Sequence, residues 1–266
     1  MQGRLLSKYQ GRYQAHPVDS WHKEFELAKE IGLDSIEFIL DYNDAEKNPL
    51  LKSGGVDEIK ALATETGVVV TTICADYFME APLHSEEQQI SENSQQVMTR
   101  LLNNAAELGV TDVVIPCVDQ SSLDSQEAAD RFFEKLSPLV ALAEELGINL
   151  SLETDLPPRP FVNLLDRFNS DRVTVNYDIG NSAALGFDPV EELNAYGKRI
   201  TDIHIKDREL ASGPVTLGEG DADFTKFFNK LKEFNYKGPF IMQAYRDEEG
   251  VEIFKQQLEW VKPYLP

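Results

Sequence analysis

One arrangement of apolar and polar positions recurs along the chain. A stretch with apolar residues at helical spacing ends at a glycine, and a short apolar run follows. The instances are KEIG-LDSIEFI at Gly32, TETG-VVVTTIC at Gly67, AELG-VTDVVIP at Gly109, EELG-INLSLET at Gly147, NAYG-KRITDIHIK at Gly197 and NYKG-PFIMQ at Gly238. Before the stop, Phe25, Leu27, Ala28 and Ile31, or Leu139, Leu142, Ala143 and Leu146, keep the helical period. A glycine just past a helix end is expected to take the left-handed conformation without strain. The runs that follow are mostly apolar and rich in Val, Ile or Thr, as strands buried on both faces are. A further run, Val173 to Asp178, follows RFNSD with no glycine.

Seven such strands alternating with helices predict a parallel α/β fold. An eighth would close a barrel, and the candidate is the short, weakly apolar segment from Met1 to Leu5. The expected architecture is therefore a (β/α)8 TIM barrel with a short or degenerate first strand, one domain spanning residues 1–266. A doubly wound open sheet is the alternative. It would want a glycine-rich phosphate loop after an early strand, and the sequence has none.

Composition narrows the class. A chain of 266 residues with 42% hydrophobic content suits one large core. No apolar run approaches the roughly 20 residues that span a bilayer. The start, MQGRLLSKYQGR, has no apolar core of the signal-peptide kind, so no signal peptide is expected. Two cysteines, Cys74 and Cys117, fit reduced thiols in a cytoplasmic protein. A net charge of −21 argues against nucleic acid or an anionic membrane as partner. It leaves room for a small phosphorylated ligand held by local cations. A homo-oligomer is compatible with the sequence but not readable from it.

In parallel barrels the chemistry sits at the carboxyl ends of the strands. Polar residues there are Glu37; Cys74 and Asp76; Asp119; Glu153 and Asp155; Asp178 and Asn181; His204, Lys206, Asp207 and Arg208; and Gln243 and Arg246. Four of them, Glu153, Asp178, His204 and Gln243, end successive strands. Two carboxylates, an imidazole and an amide oxygen at one barrel mouth suit a divalent ion. Mn2+ is the first choice, with Mg2+, Co2+ or Zn2+ as alternatives. The other histidines, His16, His22 and His84, are expected in loops or helix starts, in structural or substrate-lining positions.

At these residues the chain resembles the xylose isomerase-like barrel superfamily, in particular its sugar phosphate isomerase/epimerase group. The resemblance runs over nearly the whole chain. It is carried by SLETD, NYDIGN, DIHIKDR followed by PVTLGEGDADF, and IMQAYR, with MQGRL and CADYFM also similar. It implies a metal held by Glu153, Asp178 and His204, and an enzyme of carbohydrate metabolism acting on a small ketose or sugar phosphate through a cis-enediolate. The family's fourth ligand is a second Glu that also serves as an acid or base, and here that position is Gln243. An amide can offer an oxygen to a metal but cannot move a proton, so a symmetric two-glutamate epimerisation loses one group. Three readings follow. Glu153 alone shuttles a proton on one face; or Asp76, Glu37 or Asp207 replaces the missing acid; or the site binds metal and sugar without turnover. A dehydratase resembling those acting on keto-inositols falls under the first two.

Substrate-side candidates are Asn181, Lys206, Arg208, Arg246, Glu37 and Asp76. The Gly218-Glu219-Gly220 turn is a candidate for presenting backbone N–H groups to a phosphate, and Arg159 is a weaker cationic candidate. Trp21, Tyr77 and Phe78 could wall the sugar or belong to the core. A DNA-repair endonuclease branch of the superfamily needs several metals and more histidines than this chain places at strand ends.

Overall fold

The computed structural model describes residues 1–3 and 5–265. In chain order the strands are β1 (Ser35–Ile39), β2 (Val69–Cys74), β3 (Asp112–Cys117), β4 (Asn149–Thr154), β5 (Val173–Asp178), β6 (Ile200–Ile205), β7 (Asp207–Arg208), β8 (Pro214–Val215) and β9 (Phe240–Met242). The helices are α1 (Lys23–Ile31), α2 (Gly55–Thr66), α3 (Tyr77–Glu80), α4 (Gln88–Leu108), α5 (Gln126–Leu146), α6 (Pro158–Phe168), α7 (Ile179–Leu185), α8 (Pro189–Tyr196), α9 (Phe224–Leu231) and α10 (Glu252–Val261).

Strands β1 to β6 and β9 form one parallel seven-stranded sheet in chain order. The expected eighth strand contributes a single rung. Gln2 pairs with Glu37 as an isolated parallel bridge. Glu37 N donates to Met1 O at 2.8 Å, and Gln2 N donates to Met242 O at 3.2 Å. The amino-terminal segment thus fills the gap between β1 and β9, and the sheet closes as a TIM barrel rather than an open doubly wound sheet. Arg4, within the expected first strand, lies outside the described residues.

Residue alternation along each strand sorts side chains between two environments. Leu150 and Leu152 of β4 join the apolar layer that includes Phe132, Leu136 and Leu164 from the helices. Ser151 and Glu153 take the other face. Polar residues on this inner face are buried: Glu37, Thr72, Ser151, Asn176, Asp202 and His204.

Four of the six stop glycines are left-handed helix caps as expected, with φ of 82° at Gly32, 78° at Gly67, 85° at Gly109 and 73° at Gly147. Gly197 is not: its φ is −55°. A Cβ there would stand 3.0 Å from the Phe234 ring, so close packing explains that glycine. At Gly238 a Cβ would meet Thr201 O at 2.2 Å, and the left-handed residue of that connection is Asn235. No described helix is long and apolar enough to cross a membrane. Cys74 and Cys117 are free and buried.

Candidate active site

The carboxyl ends of β4, β5 and β6 bring Glu153, Asp178 and His204 together. One ligand atom from each lies within 4.8 Å of the others. His204 Nδ1 is 3.9 Å from both Glu153 Oε2 and Asp178 Oδ2. The fourth group follows β9: the Gln243 amide lies 2.9 Å from the same Nδ1. All four side chains are buried. Turning the Gln243 amide about its last bond presents Oε1 to the site in place of Nε2.

Two neighbours orient this group. Glu37 Oε1 meets His204 Nε2 at 2.9 Å, which directs the other ring nitrogen toward the carboxylates. Asn181 is the hub on the opposite side. Asp178 caps α7 by accepting from Asn181 N at 2.8 Å, and the cap fixes where the Asn181 side chain stands. Asn181 Nδ2 then donates to Glu153 Oε1 at 2.6 Å. Its Oδ1 accepts from Lys206 Nζ at 3.1 Å and from an Arg208 guanidinium nitrogen at 2.8 Å. Lys206 also reaches Asp178 Oδ2 at 3.3 Å.

Burial raises the Glu153 pKa to about 7, with His204 pulling it down and Asp178 pushing it up. Burial alone would lower His204, but the Glu37 charge and hydrogen bond outweigh it and raise the ring to about 9. Without a cation, then, this group of carboxylates holds protons in compensation. A divalent ion is the other way to balance two carboxylates beside a neutral imidazole. Ligand atoms around such an ion stand about 3 Å apart. The observed separations of 3.9 Å need only small side-chain movements to reach that. The donor set therefore fits a hard or borderline divalent ion.

A cavity of about 530 Å³ opens above this group. Glu153, Gln243, Asn181, Lys206, Arg208, Arg246 and Asp76 all line it. Asp76 is raised by burial and accepts from Cys74 Sγ and from Gln14 Nε2, each at 3.1 Å. Arg246 stacks over Tyr13 at 4.2 Å and donates to Leu6 O. Sequence reasoning missed Arg12, Tyr13 and Gln14, which line the mouth from the segment before α1. Arg12 is paired with Asp41 at 2.7 Å. That segment has neither helix nor strand periodicity, so nothing in it marked a site.

Several expected residues lie elsewhere. Glu37 does not line the cavity; it is fully buried beneath His204. The Gly218-Glu219-Gly220 turn does present backbone N–H groups to an anion, but the anion is Asp207. Its Oδ2 accepts from Gly218 N at 2.8 Å and Gly220 N at 3.1 Å, and its Oδ1 from Ala222 N at 3.2 Å. The turn has no room for a phosphate, and Asp207 is no free acid. Trp21 and Phe78 belong to the core, and Arg159 and Tyr77 are not in the cavity wall; its apolar parts are Met79, Pro116, Val118 and Pro214, with the rings of Tyr13 and Tyr245. His16 packs against Trp21 and Phe38, and His84 against Phe132.

Residues 25–264 match the family model described as a xylose isomerase-like TIM barrel. The L-ribulose-5-phosphate 3-epimerase UlaE of Escherichia coli O1:K1 / APEC is 26% identical over 258 residues, covering 92% of this chain and 89% of that protein. Among solved structures, the 3-keto-D-glucoside 4-epimerase YcjR of E. coli superposes with a TM-score of 0.74 at 18% identity, covering 99% and 100% of the two chains. A xylose isomerase-like TIM barrel protein from Mycobacterium smegmatis, in complex with magnesium, superposes with a TM-score of 0.70 at 20% identity, covering 93% and 89%. This chain belongs to the xylose isomerase-like TIM barrel family.

Proposed function

We propose that this protein is a divalent-metal-dependent isomerase/epimerase of a small ketose or ketose phosphate, with Glu153 as its acid–base group. The observation that carries the reading is Glu153 itself. It is a buried carboxylate facing the cavity, held by Asn181, beside Asp178 and His204, and raised by burial to about 7. A bound cation would lower that value, so in the loaded site Glu153 would stand ionised and able to accept a proton from the substrate.

Glu153, Asp178, His204 and the Gln243 oxygen would hold the ion. When bound, it supplies Lewis acidity that favours loss of a proton next to a carbonyl. Glu153 would remove that proton and return it to the adjacent carbon on the same face, while the hydroxyl proton passes from one of the two neighbouring oxygens to the other, which interconverts ketose and aldose. Asn181 keeps one Glu153 oxygen fixed, so the carboxylate swings little during transfer. Lys206 and Arg208, joined through Asn181, set the charge on the substrate side. A relative named for L-ribulose 5-phosphate favours a phosphorylated substrate. Its phosphate would rest on side chains at the mouth, since Asp207 fills the glycine turn. The buried free thiols fit a reducing, cytoplasmic setting.

A second reading, epimerisation through two acids, is favoured by Asp76. Of the three residues considered as replacements for the missing Glu, it alone lines the cavity. The test is solvent deuterium uptake, by NMR, across a panel of ketoses and ketose phosphates with Mn2+ present. Uptake at C1, C2 or C3 of at least one sugar is expected, and Glu153→Gln should abolish it with the fold intact. If Asp76→Asn blocks the epimer while exchange continues, the two-acid reading holds. Binding of several sugars with no exchange in any would leave a sugar-binding protein instead.

A further inference from the structure

Below His204 the barrel interior holds a closed group of polar side chains that the proposed chemistry does not use. Gln2 pairs in register with Glu37, and Glu37 with Thr72, on three neighbouring strands. Asn176 and Asp202 are register partners on β5 and β6. Gln2, Glu37, Thr72 and Asp202 are fully buried, and Asn176 is 3% exposed. The two rows meet where Glu37 and Asp202 each bring a carboxylate oxygen within 4.8 Å of the other and of a His204 ring nitrogen.

Most of the polar atoms here lack a partner. Both amide atoms of Gln2 and of Asn176, both Asp202 oxygens, Glu37 Oε2 and Thr72 Oγ1 have none among the described residues. Thr72 and Asp202 approach Glu37, but no hydrogen bond of ordinary geometry joins them. Unsatisfied polar atoms are strongly unfavourable in an enclosed site, so these call for a partner that the described side chains do not supply. The kind of atom decides what. Oxygens predominate, and three of them belong to carboxylates. Of the cationic groups nearby, His204 Nε2 meets Glu37 Oε1, and the Met1 amine donates to Ser35 O and acts on Glu37 and Asp202 through its charge without a hydrogen bond to either. Water donates as readily as it accepts and leaves an excess of acceptors unmatched.

We infer that this chamber is a second cation site, distinct from the one at the barrel mouth, taking a hard ion of Na+ or Ca2+ size on Glu37, Asp202 and the oxygens of Gln2, Thr72 and Asn176. Oxygens at about 2.3–2.6 Å from such an ion stand about 3–5 Å from one another, and one oxygen of each carboxylate lies within 4.8 Å of the other. The ion offsets the charge of Glu37 and Asp202, fully if it is Ca2+ and by half if it is Na+, and keeps Glu37 an acceptor for His204. It therefore steadies the histidine of the upper site from below.

Na+ and Ca2+ are separated by the experiment. Crystals with saturating Mn2+, so that the upper site is filled, would be grown in Na+ or soaked in Ca2+. Density between Glu37 and Asp202 with oxygens at about 2.3–2.6 Å is expected in one of the two arms, with an anomalous peak if the ion is Ca2+. In solution, with Mn2+ constant, the matching cation should raise the melting temperature by about 5 °C over tetramethylammonium at equal ionic strength. Asp202→Asn should remove that increment, and if it does not fold, the milder Thr72→Val should shrink it. Only water density in both arms, or an increment that neither substitution changes, overturns the proposal; Asp202 then carries a proton in a wet chamber.

Discussion

His204 shows how much of the proposed chemistry depends on one ring. Its Nε2 is committed to Glu37, so Nδ1 is the nitrogen left for a metal. In the metal-free protein that nitrogen carries a proton below about pH 9, because Glu37 holds the ring as imidazolium against the cost of burial. Glu153 takes up a second proton below about pH 7. A divalent ion must displace both, so its affinity falls as pH falls. The apparent dissociation constant for Mn2+ should rise about tenfold per pH unit between pH 9 and 7, and more steeply below 7. Titration calorimetry in buffers of different ionisation heat would count the protons released. A flat affinity from pH 9 to 6 would mean that Nδ1 is not a ligand. Glu153, Asp178 and His204 could be read from sequence because each ends a recognisable strand. Glu37 could also be placed at a strand end. Its orientation beneath the ring could not, because that depends on which face of β1 closes onto β6.

At the scale of elements, the stretch from β7 to the start of α9 is built around Asp207. Its carboxylate accepts three backbone N–H groups, and a Cβ on Gly220 would stand 2.2 Å from Asp207 Oδ1. Arg208, next in the chain, donates to Ser212 O within the same stretch and to Asn181 at the site. Asp207→Ala would leave three N–H groups without their acceptor. It should destabilise the fold by about 2–3 kcal/mol, measured by urea unfolding. If Arg208 meets the substrate, KM should rise more than kcat falls; an unchanged KM would separate this loop from substrate binding. The sequence marked Gly218 and Gly220 as a potential anion cradle but could not say which anion fills it, since Asp207 is eleven residues or more away in the chain. The strands after Gly32, Gly67, Gly109 and Gly147 were legible because the helix cap and the apolar run coincide. The amino-terminal strand was not, since a single bridge at Gln2 needs no hydrophobic period.

Charge on the scale of the whole molecule sets a constraint that no single residue resolves. The chain carries −21, and an anionic sugar approaches against that field. Among the described residues lining the cavity, Arg12, Lys206, Arg208 and Arg246 face Asp41, Asp76, Glu80, Asp119 and Glu153, so acids outnumber bases by one. A divalent ion at Glu153, Asp178 and His204 offsets that excess locally, even after it displaces the His204 proton, while the rest of the surface stays acidic. If the substrate is a ketose phosphate, the ion is needed to admit it as well as to activate it. Calorimetry should show negligible binding of a ketose phosphate in EDTA and clear binding with Mn2+ present. The coupling must be mutual: the phosphate ester should tighten Mn2+ binding by the same factor by which Mn2+ tightens the ester. His204→Ala should remove both effects and the rise in melting temperature that Mn2+ gives the unaltered protein. Equal binding of the ester with and without Mn2+ would instead place its phosphate on the cationic side chains alone, and the barrel-mouth ion would then have no part in admitting the substrate.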